Sequence, residues 1–177
     1  MGALIAGLAS PAAAQPDSPQ SDERALARLL AAKLDDAAGI YLVNYNSGRY
    51  LQPRRHSTAN AARVVQWRYT RSKFQRWKPV LDGKYTSFEN LGSHKNLGIN
   101  RASGDAGANA IQAKPAGDWN QDWLMDPRPY PGESFALVNR KSGLCLGISN
   151  ASIAIGGQAA QFRCDGRANQ RWNFYGG

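Results

Sequence analysis

The sequence predicts an all-β domain made of three copies of one structural unit. Three observations predict it: a tryptophan triplet that occurs three times, a second signal that recurs at the same offsets, and a composition suited to short strands and turns. The 177 residues include 18 Gly, 9 Pro, 5 Trp, 7 Tyr and 5 Phe, and 42% are hydrophobic. Such a chain has room for one domain with a real core, and two full domains would be cramped. Aromatic residues with frequent Gly and Pro favour strands punctuated by turns over long helices.

In chain order, residues 1–14 read as a signal peptide. Ala3 to Ala9 form a short apolar stretch, and Pro11-Ala12-Ala13-Ala14-Gln15 offers small residues spaced for cleavage after Ala14. No Lys or Arg stands near Met1, which departs from the usual pattern. The expectation is a secreted, extracellular protein. Residues 15–39 read as a linker with two prolines followed by one short α-helix over Ser21 to Asp36. There Leu26, Leu29, Leu30 and Leu34 share a face, and Asp22 and Glu23 sit in the first turn, where they favour the helix dipole. No apolar run approaches the roughly 20 residues of a membrane-spanning helix, so a bilayer-crossing helix is not expected.

From Ile40 onward the chain repeats itself. Gln75-Arg76-Trp77, Gln121-Asp122-Trp123 and Gln170-Arg171-Trp172 are 46 and 49 residues apart. Asn44-Tyr45-Asn46-Ser47, Asn90-Leu91-Gly92-Ser93 and Asn139-Arg140-Lys141-Ser142 are separated by the same two intervals. The distance from Ser to Gln is therefore 28 residues in every copy, and the three extra residues fall between the second and third repeats. An insertion confined to a connection marks real structural units. Leu42, Phe88 and Leu137, then Leu51, Leu97 and Leu146, then Val65, Ile111 and Ala160 obey the same offsets. Each repeat reads as four short strands, with boundaries at about 40–81, 82–130 and 131–177. One unit of this size cannot bury its own apolar face. Three around a pseudo-three-fold axis can, with Trp77, Trp123 and Trp172 in a shared core, and that closure removes most exposed strand edges.

Charge is unevenly spread. The formal net charge is +9; residues 1–39 carry three cations against five carboxylates, which leaves +11 for the repeats. Arg49, Arg54, Arg55, Arg63, Arg68, Arg71, Lys73, Arg76 and Lys78 follow one another with no Asp or Glu between them. A field of this sign draws anionic partners and equally suits a solvated basic face. Paired carboxylates in one cleft, or a nucleophile beside a positioned His, are not apparent: His56 and His94 lie in loop-like stretches, and Glu89 and Glu133 near repeat boundaries. The reading is of a protein that is not an enzyme, with no metal site and no cofactor.

Three repeats with Ser-Gly-x-x-Leu, then Gln-aromatic, then Gln-x-Trp resemble the ricin-type lectin family, β-trefoils of plant toxin B chains and bacterial glycosidases. The resemblance covers nearly all of residues 40–177 and implies a β-trefoil that binds carbohydrate without catalysis. It implies a disulfide between Cys145 and Cys164, the only cysteines, at positions held by Tyr50 and Tyr69 in repeat one and by Asn96 and Pro115 in repeat two. It also implies sites made of an Asp after the Leu, an aromatic platform, and an Asn before the triplet Gln. Carried over, these give Phe162, Asn169 and Gln170 in repeat three, with Gly147 at the Asp position. Repeat one supplies Trp67 and Gln52, with Phe74 at the Asn position. Repeat two keeps Asn120 and Gln121 but has Gly98 for the Asp and Ala113 for the platform. Without an ionised acceptor, galactose recognition weakens. The implied partner is a glycan or polysaccharide, with acidic glycans drawn by the basic first repeat; nucleic acid is not expected for an exported protein. The alternative is a trefoil that has lost sugar binding and serves protein interaction or the delivery of a toxin or enzyme. Trp119 has no role under the resemblance.

Overall fold

The computed structural model describes residues 39–127 and 134–176; the signal-like segment 1–14 and the helix expected at Ser21 to Asp36 lie outside them. The first lobe contains β1 (Ile40–Asn44), β2 (Tyr50–Pro53), β3 (Val64–Trp67) and β4 (Arg76–Asp82). The second contains β5 (Tyr85–Asn90), β6 (Asn96–Ile99), β7 (Ala110–Ala113) and β8 (Asp122–Asp126). The third contains β9 (Ala136–Asn139), β10 (Cys145–Ile148), β11 (Ala159–Phe162) and β12 (Trp172–Gly176). The three extra residues of the second interval fall between β8 and β9.

The first and last strands of each lobe form a closed antiparallel barrel. β1 pairs with β4 and β12, β4 with β5, β5 with β8, and β8 with β9. The ring closes where Phe135 and Trp172 exchange two backbone hydrogen bonds of 2.9 Å. The middle strands form three hairpins, β2–β3, β6–β7 and β10–β11, which meet through the bridges Arg63–Ile111, Val65–Gln158 and Asn109–Ala160. This is the β-trefoil. Closure removes the unpaired edges that would otherwise template aggregation.

Trp77, Trp123 and Trp172 are fully buried in one core with Leu42, Phe88 and Leu137 and with Leu51, Leu97 and Leu146. A buried indole N–H needs an acceptor. Each finds the carbonyl two strands earlier in its own lobe, Leu51, Leu97 or Leu146, at 2.9 to 3.1 Å.

The glutamines of the Gln-aromatic position join one lobe to the next. Gln66, Gln112 and Gln161 are all buried. Their side-chain carbonyls accept from the hydroxyls of Ser47, Ser93 and Ser142 at 2.6, 2.6 and 2.8 Å. Their amide nitrogens cross to a loop of a neighbouring lobe: Gln66 to the carbonyls of Ser152 and Ala154, Gln112 to Ser57 and Ala59, Gln161 to Ser103 and Asp105. The Asn residues of the other signal cross in the same sense. Asn44, Asn90 and Asn139 donate to the carbonyls of Asn169, Phe74 and Asn120. On the pseudo-three-fold axis, Gln158 Nε2 stands within 2.6 to 3.2 Å of the symmetry-related carbonyls of Val64, Ala110 and Ala159.

Cys145 and Cys164 are joined by a disulfide that spans 19 residues, a closure that stabilises by about 3 kcal/mol in the chain-entropy model. In the first lobe the same positions bring Tyr50 and Tyr69 together, ring centroids 4.8 Å apart, with Tyr41 set edge-on to both. A hydrogen bond with Tyr41 pushes the Tyr69 phenol above its ordinary range, and burial does the same for Tyr50.

Replacing Gln112 by Ala removes three hydrogen bonds and leaves the buried Ser93 hydroxyl only the long 3.5 Å bond to Asn90 Oδ1. The expected loss of unfolding free energy is about 2–4 kcal/mol. It is checked by a lowered urea midpoint at unchanged m-value; an unmoved midpoint contradicts an inter-lobe role for this amide.

Candidate functional site

The face expected to hold sugar is clearest in the third lobe. The β10–β11 register pairs Cys145 with Phe162 and Gly147 with Ala160, so Phe162 lies diagonally across from Gly147 on one face of the hairpin. A Cβ built on Gly147 would lie 3.3 Å from Phe162 Cδ2, 3.2 Å from the Asn169 carbonyl oxygen and 2.9 Å from Gln170 Cγ. The four residues singled out in this lobe therefore surround one backbone notch. Phe162 and Asn169 are half-buried at its rim, whereas Gln170 is buried.

Their polar atoms are unequally available. Gln170 donates to the Arg163 carbonyl at 3.0 Å and accepts from the Asp165 N–H at 3.2 Å, so both ends of its amide brace the loop that carries Cys164. Asn169 donates to the Ile148 carbonyl at 3.0 Å, which directs its side-chain oxygen away from that bond.

The first lobe fills the notch differently. Gln52, expected as a ligand acceptor, is 2% exposed, and its carbonyl accepts from Gln75 Nε2 at 2.9 Å. Gln75 also donates to the Arg68 carbonyl and accepts from the Thr70 N–H. The physical reason is local: the triplet Gln has a donor in excess of the loop it braces, and Gln52 satisfies it. Trp67 is half-buried at the seam with the third lobe, where its ring comes to 3.5 Å from a Cβ built on Gly156. Phe74 stacks on His56, centroids 5.0 Å apart and planes 9° from parallel. In the second lobe Asn120 is buried and donates to the Ile99 carbonyl at 3.2 Å, and a Cβ on Gly98 would lie 3.2 Å from Gln121 Cγ.

Seven of the nine cations of the first lobe are exposed: Arg54, Arg55, Arg63, Arg68, Arg71, Lys73 and Lys78. None of the seven has an ion-pair partner among the described residues. No group of His, Cys, Asp and Glu fit to hold a metal ion occurs among them either, and no described helix is long and apolar enough to cross a membrane.

Two arrangements escaped sequence reasoning. The contact of Tyr50 with Tyr69, their rings tilted by 35°, was signalled only by their standing at the cysteine positions. The packing of Arg140 against Trp119 and Tyr85 had no signal, because the partners come from different lobes.

A closed three-lobed trefoil with its aromatic rings beside hairpin notches defines a class of protein. The model of the ricin-type beta-trefoil lectin domain-like family matches residues 33–113 and 119–176. The chain belongs to that family. Among solved structures it is similar to the designed three-fold symmetric protein ThreeFoil, with 34% identity, 77% of this chain and 97% of that one covered, and a TM-score of 0.73. It is also similar to an exo-beta-1,3-galactanase from Clostridium thermocellum, with 30% identity, 79% of this chain and 30% of that one covered, and a TM-score of 0.74. A ricin B-like lectin from Macrolepiota procera, solved in complex with lactose, shares the fold at 14% identity and a TM-score of 0.69, with 80% of this chain and 98% of that one covered. No curated protein sequence matches.

The crowding at the notches carries a consequence for restoring the family's carboxylate. Gly147→Asp must displace Gln170, which is held at both ends, and is expected to destabilise by about 1–3 kcal/mol. Gly98→Asp, with its nearest neighbour 0.3 Å farther away, is expected to cost less. Chemical denaturation of the two variants checks the order; equal and negligible costs contradict it.

Proposed function

We propose that this domain is a non-catalytic carbohydrate-binding module that takes sugar rings at the lobe notches and favours polymeric or acidic glycans. The observation that carries the reading is the third-lobe notch, where the half-buried Phe162 ring and the Asn169 backbone carbonyl both approach Gly147 and the Asn169 side chain bonds the carbonyl of the adjoining Ile148. A pyranose presents an apolar C–H face to an aromatic ring and hydroxyls to fixed polar groups, and this surface supplies both. Trp67 offers a second platform in the first lobe. Gln52 and Gln170 act from behind, by fixing the loops.

No ionised acceptor stands in any of the three notches, so each is a weak site for a single neutral ring. The first-lobe cations supply what is missing if the glycan carries carboxylate or sulfate, since a guanidinium fork matches both. The Cys145–Cys164 bond supports export to an oxidising compartment.

On a glycan array the domain is expected to give specific hits that Phe162→Ala and Trp67→Ala reduce. A blank array at high protein concentration removes the carbohydrate reading and favours a trefoil used for protein interaction or delivery. Retention on heparin or polyuronate is expected to fall with added salt and with the Arg54→Ala, Arg55→Ala double variant. Unchanged retention removes the acidic preference while leaving sugar binding in place.

A further inference from the structure

Trp119 is 59% exposed, the most exposed of the described aromatic residues. It opens the short turn Trp119–Gln121 ahead of β8. A single exposed aromatic side chain is ordinary; what sets this one apart is the set of charged groups organised around it. Arg140, from the third lobe, packs its guanidinium 4.8 Å from the Trp119 ring centroid and 4.5 Å from that of Tyr85. The same guanidinium holds Asp122 at 3.1 Å and Asp82 at 3.2 Å, both through Nη1. One cation thus fixes an indole, a phenol ring and two carboxylates at the seam between the second and third lobes.

The two carboxylates differ in use. Asp122 is nearly enclosed, with a side chain 12% exposed, and serves to anchor Arg140. Asp82 has a side chain 77% exposed and spends one oxygen on Arg140, so its carboxylate is oriented yet open to solvent. An exposed aromatic ring held in place beside an oriented ionised acceptor is the combination that the three lobe notches lack. It is also peculiar to this seam: the positions equivalent to Trp119 hold Lys73 and Ala168, and those equivalent to Asp122 hold Arg76 and Arg171.

We propose that Trp119 and Asp82 form a further carbohydrate site at the seam of the second and third lobes, which takes a neutral pyranose of an oligosaccharide. Trp119 stacks on the C–H face of the ring, and Asp82 accepts from its hydroxyls. Arg140 is the positioning residue. Neutral sugar fits better than acidic sugar because the acceptor itself, the exposed Asp82 carboxylate, is anionic, and an anionic substituent brought against it would be repelled. The site shares no residue with the lobe notches, and only the class of its ligand rests on the reading given above.

The test follows the indole N–H resonances of the intact protein, five in number because the chain has 5 Trp, during titration with lactose, cellotetraose and xylotetraose and, in parallel, with a heparin oligosaccharide. The Trp119 resonance is expected to shift with at least one neutral oligosaccharide, and to do so equally in a Trp67→Ala, Phe162→Ala double variant. Asp82→Asn is expected to weaken this response about ten-fold, and Trp119→Phe to weaken it less than Trp119→Ala. A Trp67 resonance that moves while Trp119 stays still overturns the seam site and leaves the notches standing. A Trp119 response confined to heparin, or lost with the notch variants, also overturns it. Both exposed side chains can be replaced without opening the core, so native-like dispersion of the remaining indole resonances verifies folding in the same spectra.

Discussion

The constraint on which the molecule depends is the satisfaction of three buried amides, Gln66, Gln112 and Gln161. Each sits on the second strand of a hairpin with its side chain buried, and a buried amide without partners costs more than a formed hydrogen bond returns. The partners are split between lobes: a serine hydroxyl 19 residues earlier in the same lobe, and two loop carbonyls of a neighbour. Because the first lobe reaches the third, the second the first and the third the second, the circuit closes on itself. No lobe has a complete hydrogen-bond set without the other two. The barrel and the indole cluster supply apolar driving force, and the circuit specifies that three units, in one rotational sense, are used.

That division explains why the lobes differ so much outside the circuit. Positions tied to the circuit keep their residue and core positions such as Leu42, Phe88 and Leu137 keep apolar character, while positions that face outward have diverged. The pair that holds a disulfide in the third lobe holds two tyrosines in ring contact in the first. In the second, Asn96 bonds Gln121 instead. Aromatic pairing contributes about 0.5–1.5 kcal/mol where the covalent link contributes about 3 kcal/mol, so the three hairpins are secured to different degrees on the same frame. The notches diverged likewise, because loss of an acceptor there leaves the amide circuit intact.

The same physics decides what was legible in the sequence. A threefold circuit requires the same Asn, Ser, Gln and Trp at the same offsets, so the repeats, the strand positions and the core were readable before any coordinates. The two-residue left-handed turns after β2, β6 and β10 were not, since Arg55, Arg101 and Asn150 share a positive φ without sharing a side-chain type. Phe162 lies diagonal to Gly147 because hairpin register follows from the repeat, and Asn169 lies beside both. Gln52 carries a polar side chain at the position where the resemblance implies a ligand acceptor, yet its carbonyl accepts from Gln75; only the fold reveals which neighbour has the spare donor. Contacts across seams, such as Arg140 on Trp119, depend on lobe packing and leave no periodic trace.

Charge sorts the outer surface along the same lobes. From Arg49 to Lys78 there are nine cations and no carboxylate, whereas from Asp82 to Asp126 Lys84, Lys95, Arg101 and Lys114 face Asp82, Glu89, Asp105, Asp118, Asp122 and Asp126. The first lobe is thus strongly basic and the second mildly acidic, on a frame too rigidly stitched for the lobes to rearrange. Exposed charges interact over about 8–10 Å at ordinary ionic strength, a range shorter than the span of the trefoil, so each lobe presents its own field to whatever approaches. A guanidinium-rich lobe and a carboxylate-lined seam cannot favour the same ligand. Where symmetry of the interior is enforced by hydrogen bonds, asymmetry of the surface is the remaining freedom, and in this chain it takes the form of unequal charge on the lobes.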